Sequence, residues 1–194
     1  MEALLKFSDI INAIVTRVGK WASLLAIPLM IVILYDVIQR KFGGQGSIKL
    51  QELEWHLHTG LFMLCFGFAY IRDAHVRIEL IRDNLRPRTR AIVEMIGGII
   101  CVLPFCALVL YFGFDFVARS FESHEVSAST TGLTHRWIIK STIPIGFGLL
   151  AMAGLSIFLK CFVYVFGPTN LHKRAGYYVG THHLEDLGKA KIED

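Results

Sequence analysis

A chain of 194 residues, 54% of them hydrophobic and with a mean hydropathy of +0.51, falls in the membrane class, not among soluble enzymes or binding modules. Its net charge of +4 arises from 20 Lys and Arg against 16 Asp and Glu. The basic residues are interspersed with acidic ones beside apolar stretches, a pattern that meets lipid head groups and excludes a nucleic-acid partner.

In chain order, the first 20 residues place Leu4, Phe7, Ile11, Ile14 and Val18 at helical spacing, with Lys6, Asp9, Asn12, Thr16 and Arg17 opposite. This pattern fits an interfacial amphipathic helix or, alternatively, a polar-faced extension of the span that follows. Four uncharged apolar stretches come next: Trp21 to Tyr35, Trp55 to Ile71, Met95 to Phe114 and Ser141 to Leu159. With their flanks they become spans over about 21–40, 54–71, 91–116 and 137–166, and about 20 helical residues cross a hydrocarbon core. Backbone groups in lipid must be satisfied within the segment, so helices are expected. The predicted fold is an all-α membrane protein with four transmembrane helices over residues 21–166, interfacial helices, and a tail over 167–194.

Gly43, Gly44 and Gly46 break the chain after the first span, and Ser47 is placed to cap the next helix. After the second span, Ile78, Ile81 and Leu85 alternate with Arg77, Arg82, Asp83 and Arg86 until Pro87, which suggests a helix lying flat on the membrane surface. Arg77, Arg82, Arg86, Arg88 and Arg90 are the predicted phospholipid contacts. The connector from Arg119 to Arg136, rich in Ser and Thr, is expected to be ordered or half-helical. Small residues at Ala22 and Ala26, Gly60 and Gly67, and Gly146 and Ala153 permit close helix approach.

With both termini in the cytoplasm, Arg40, Lys41, Lys49, Arg119, Arg136 and Lys140 lie outside and the other 14 basic residues inside. The positive-inside rule favours that orientation.

Few residues carry chemistry. Asp36 sits at an apolar span end with Arg40 one helical turn on, and with Glu52 or Glu54 they could form an ion cluster at the outer membrane edge. An ion-coupling site is one reading. A clamp that fixes the first hairpin or docks another subunit is favoured, because a carboxylate beside an arginine binds cations poorly. His56 and His58 point to different faces, Cys65, Cys101, Cys106 and Cys161 lie in apolar spans without a CxxC pair, and no hydrolase, zincin or P-loop motif occurs. The chain is therefore read as neither an enzyme nor a metal or cofactor protein.

The order of several short motifs carries a family resemblance. Gln39, Arg40, Lys41 and Phe42, then Glu52 and Leu53, then His75, Val76, Arg77, Ile78, Glu79 and Leu80 resemble the small membrane subunit of tripartite ATP-independent periplasmic (TRAP) transporters. Gly132, Leu133, Arg136, Trp137, Lys140, Pro144, Ile145 and Gly146 look like the entry to that family's fourth helix, in a branch associated with organic-acid uptake. The resemblance covers roughly residues 15 to 165. It implies an accessory subunit in the bacterial inner membrane, paired with a large multi-span subunit that holds the substrate and sodium sites, and served by a periplasmic substrate-binding protein. The substrate would be a carboxylate or a sulfonate.

Two other readings compete on the residues alone. A self-contained four-helix transporter needs a buried acidic residue in mid-span, whereas Asp36, Glu94 and Asp115 lie near span ends. A membrane-anchor subunit of a redox complex would show haem or quinone in its spectrum.

Overall fold

The computed structural model describes residues 1–43, 46–72, 74, 85–129 and 131–176, and every regular element among them is helical. Helix α1 (Glu2–Ser23) runs almost directly into α2 (Ala26–Gly43). The break has a local cause. Pro28 has no N–H for the carbonyl of Leu24, and Ile27 N takes that carbonyl at 3.1 Å in a tighter turn. Helix α3 covers Ile48–Ile71. Helix α4 (Pro87–Gly97), with its proline in the first turn, continues through a π-helical turn (Gly98–Val102) into α5 (Leu103–Glu122). There Pro104 cannot donate to Ile100, and the wider turn, in which Leu103 N reaches the Gly98 carbonyl, accommodates the missing bond. Helix α6 (Trp137–Phe166) is the longest single helix, and α7 (Thr169–Gly176) crosses its end.

Among the described residues, three helical segments are long and apolar enough to span a membrane: Glu2–Gly43, Pro87–Glu122 and Trp137–Phe166. The second expected span, α3, has the length but not the apolarity, because Lys49, Glu52, Glu54, His56 and His58 occupy its first turns.

Helix α6 is the core. Its most apolar window is 56% buried, against 11% in each of the other two, so α6 faces protein where they face outward. Glycine sets how closely α3 approaches it. A Cβ at Gly67 would stand 2.6 Å from the Leu149 carbonyl oxygen, and one at Gly146 would stand 2.6 Å from that of Met63. Only hydrogen fits between these backbones, as expected of membrane helices associating through small residues. Phe147 adds edge-to-face ring contacts to Phe66 and Phe105, each with centroids 5.7 Å apart.

Helix α1 runs antiparallel along α6. Leu5 packs with Val163 and Ala175, Ser8 and Asn12 meet Ser156, and Ile11 and Val15 share a cluster with Leu149 and Ala153. Its packed face is offset from the apolar stripe read from spacing: Phe7 and Ile14 stay exposed, while Ser8, Asn12 and Gly19 are buried. Most large side chains of α2, such as Ile27, Ile31, Leu34 and Ile38, point outward, and only Leu29 and Asp36 are buried.

Candidate functional site

Three polar constellations stand out among the described residues. The first is local to α2. Asp36 and Arg40 form an ion pair across one helical turn, with Asp36 at 2% exposure and Arg40 half-exposed. One Asp36 carboxylate oxygen, Oδ1, and the buried Gln39 Oε1 have no hydrogen-bond partner among the described residues. Neither Glu52 nor Glu54 joins this pair; Glu54 is partly buried and has no ion-pair partner among the described residues.

Glu52 instead forms the second constellation, which closes the connector between α5 and α6. Its carboxylate accepts the Ser127 hydroxyl and, at 2.5 Å, the Leu133 backbone N–H. Ser127 N donates to the Leu133 carbonyl at 3.1 Å, and Arg136 N to that of Glu125 at 3.2 Å, so the connector is an ordered closed loop. Gly132 is required by close approach: a Cβ there would lie 2.8 Å from Glu52 Oε1 and nearer still to Ser127. The Leu133 N–H and then the Ser127 hydroxyl hold the Glu52 carboxyl below its usual range. Lys140 does the same for Glu125 through an ion pair. The Lys140 ammonium also lies 4.1 Å from the Phe116 ring centroid. Trp137 opens α6 with its ring 5.3 Å edge-on to Phe121, Arg136 is partly buried near both carboxylates, and Pro144 is buried against Gly113.

Sequence reasoning missed the third constellation, at the opposite end of α6. Lys160, 1% exposed, holds its Nζ 3.1 Å from Asp9 Oδ1, and Arg174 Nη2 on α7 donates to Asp9 Oδ2 at 2.5 Å. One turn deeper, Ser156 Oγ donates to Asn12 Oδ1 at 2.7 Å, and the Ser8 hydroxyl lies 2.7 Å from that of Ser156. A signal was present. Lys160 is followed by Cys161, Phe162, Val163, Tyr164, Val165 and Phe166, so it interrupts an apolar run instead of ending one.

Of the predicted lipid-facing arginines, Arg86 and Arg88 are exposed, whereas Arg90 is buried at 7% beside Ala91 on the face that α4 turns to α6. His75, Arg77, Glu79 and Arg82 lie outside the described residues.

The family described as tripartite ATP-independent periplasmic transporters, DctQ component, matches residues 29–163. No curated protein matches the chain. The matched region runs from α2 almost to the end of α6; it contains the Asp36–Arg40 pair, the Glu52 loop tie and Lys160, and leaves Asp9 and Arg174 outside. With three helices apolar and long enough to span a membrane and a match over more than half its length, the chain belongs to the DctQ family, a membrane component of TRAP transporters and not an enzyme.

Proposed function

We propose that the protein is the accessory small subunit of a sodium-coupled, binding-protein-dependent TRAP transporter that imports an organic acid, a carboxylate or a sulfonate, across the bacterial inner membrane. It scaffolds the large multi-span subunit, which holds substrate and sodium, and its α5–α6 loop helps receive the periplasmic binding protein. One observation carries this reading. The Glu52 and Asp9–Lys160 clusters are spent on fixing helices and the α5–α6 loop to one another, and the apolar faces of α2 and α5 stay outward for lipid or a partner.

In this reading α3 is the fourth crossing, shielded by α6 through Gly67 and Gly146 while its charged first turns sit at the outer edge with Glu52 on the loop. Both termini are cytoplasmic, which follows from the basic-residue asymmetry. The Asp36–Arg40 pair lies at the periplasmic edge as a clamp for assembly. The basic connector, Arg77, Arg82, Arg86 and Arg88, meets the inner leaflet, and buried Arg90 fixes its end to α6.

The test is uptake in proteoliposomes carrying a sodium gradient, with this chain alone, the large subunit alone, or both, plus the binding protein. Uptake should require the large subunit and the binding protein, and this chain alone should move nothing. Sodium-driven uptake by this chain alone would overturn the reading in favour of a self-contained transporter.

A further inference from the structure

Between α5 and α6, at the end next to their connecting loop, the helices leave a groove of about 520 Å³. Each wall is one helical stripe. Phe114, Val117, Ala118 and Phe121 recur at the spacing of one face of α5, and Trp137, Ser141, Pro144 and Ile145 do the same on α6. The gap has a cause in the sequence, because Ala118 and Ser141 put small side chains among large ones. Phe121 and Trp137, their rings edge-on at 5.3 Å, bound it toward the loop, and Pro144 packed on Gly113 lies two turns deeper. Phe114 and Ile145, 65% and 51% exposed, leave its side open to the surroundings of the bundle.

The middle of the groove presents hydrocarbon. The Ser141 hydroxyl turns onto its own helix and donates to the Ile138 carbonyl at 2.6 Å. An apolar gap of this kind holds water poorly, and left empty it forfeits dispersion contacts along its walls. Size then decides the occupant. The volume falls within the roughly 300–1,000 Å³ of small-ligand sites. Walls of two turns, about 10 Å long, are short for the ridges of a further helix, and a specific protein interface buries more than roughly 1,000 Å². Both walls belong to segments long and apolar enough to span a membrane, so the molecules that reach the open side are lipids.

We propose that this groove seats an acyl chain of a membrane phospholipid, held by shape and dispersion contact with no demand on its head group. The Trp137 indole, apolar in body and polar at its N–H, stands at the loop end, where such a ring meets the head-group layer. The site depends on α5 and α6 crossing the membrane and is independent of what the transporter carries.

The test uses the full-length chain in phosphatidylcholine vesicles in which part of the lipid carries a photoactivatable diazirine in mid-chain, with the adducts mapped by peptide mass spectrometry. Phe112 and Phe116, exposed on the opposite side of the same turns of α5, report contact with bulk lipid. Adducts on the groove residues should be denser than on these two. Ala118→Leu and Ser141→Leu, which fill the gap from either wall, should each remove the excess. Ala13→Leu, the same kind of added bulk on the exposed face of α1, should leave it unchanged. Replacing phosphatidylcholine with phosphatidylglycerol should not alter the pattern. Groove labelling no denser than at Phe112 and Phe116, or an excess that survives both filled variants, would overturn the site. An excess seen with one head group only would overturn the acyl chain as the recognised part. The same labelling in native membranes should again mark the groove; a groove labelled in vesicles and unlabelled there would overturn the lipid in favour of a protein occupant.

Discussion

Replacing Asp9 with Asn removes a carboxylate that pairs with Lys160 without changing the side chain's size. The Lys160 ammonium is 1% exposed and lies within a helix long and apolar enough to span a membrane. Removing one partner of a buried pair costs about 3–5 kcal/mol; because the Asp9 side chain is 37% exposed, solvent reaches one side of the pair and we expect about 2–3 kcal/mol. For a chain of this size that corresponds to a fall of about 4–12 °C in melting temperature. Lys160→Met acts differently, since it removes the buried charge and leaves Asp9 with Arg174, so its cost should stay within about 1 kcal/mol. The double variant should resemble Lys160→Met alone. Thermal denaturation in micelles, followed by the fluorescence of Trp21, Trp55 and Trp137, measures all three, and hydrogen exchange of the α1 amides localises the loss. An Asp9→Asn protein as stable as wild type, or a double variant no better than Asp9→Asn, would refute the claim that Lys160 depends on this carboxylate.

Gly67→Leu should separate α3 from α6 and cost about 3 kcal/mol, read in the same denaturation assay, because its side chain must displace the backbone at Leu149. Glu52→Gln should free the α5–α6 loop at neutral pH, with faster exchange of the Leu133 amide. The Glu52 carboxyl is held below its usual range, so in the wild-type protein this tie is complete above that range and is lost only as pH falls through the lowered value; a Leu133 amide whose protection, relative to its intrinsic exchange rate, is lost near neutral pH would contradict the assignment. Arg40→Ala leaves the buried Asp36 carboxylate unpaired at a cost of about 3 kcal/mol and should reduce the yield of assembled transporter; normal assembly with an altered sodium dependence would favour ion coupling over the clamp.

What was legible in the sequence was local. The Asp36–Arg40 pair was readable because helical geometry alone brings residues four apart together. The helix entry at Trp137 was readable through the family resemblance, and the close contacts of Gly67 and Gly146 because small residues spaced along one helix face permit close approach. Glu52 was placed in a cluster with Asp36 and Arg40, whereas its partners Ser127 and Leu133 lie more than 70 positions away, and no periodicity encodes a loop folding back onto a helix. The packed face of α1 was misjudged by following its largest apolar residues. Close helix contact uses small and polar groups, here Ser8, Asn12 and Gly19, and leaves bulk such as Phe7 outside. Lys160 was counted only as one of the basic residues of the inner side, and it is Asp9, on another helix, that pairs with the charge inside the bundle.

In the proposed function this chain serves a larger transport subunit. Affinity purification of the tagged chain from its native membranes, in mild detergent, with the mass and composition of the complex determined, tests it most directly. A complex with one multi-span membrane subunit of about a dozen helices, which alone restores binding-protein-dependent uptake when added back with this chain, is the predicted result. A chain that emerges only with copies of itself, while uptake in its absence is undiminished, would contradict it.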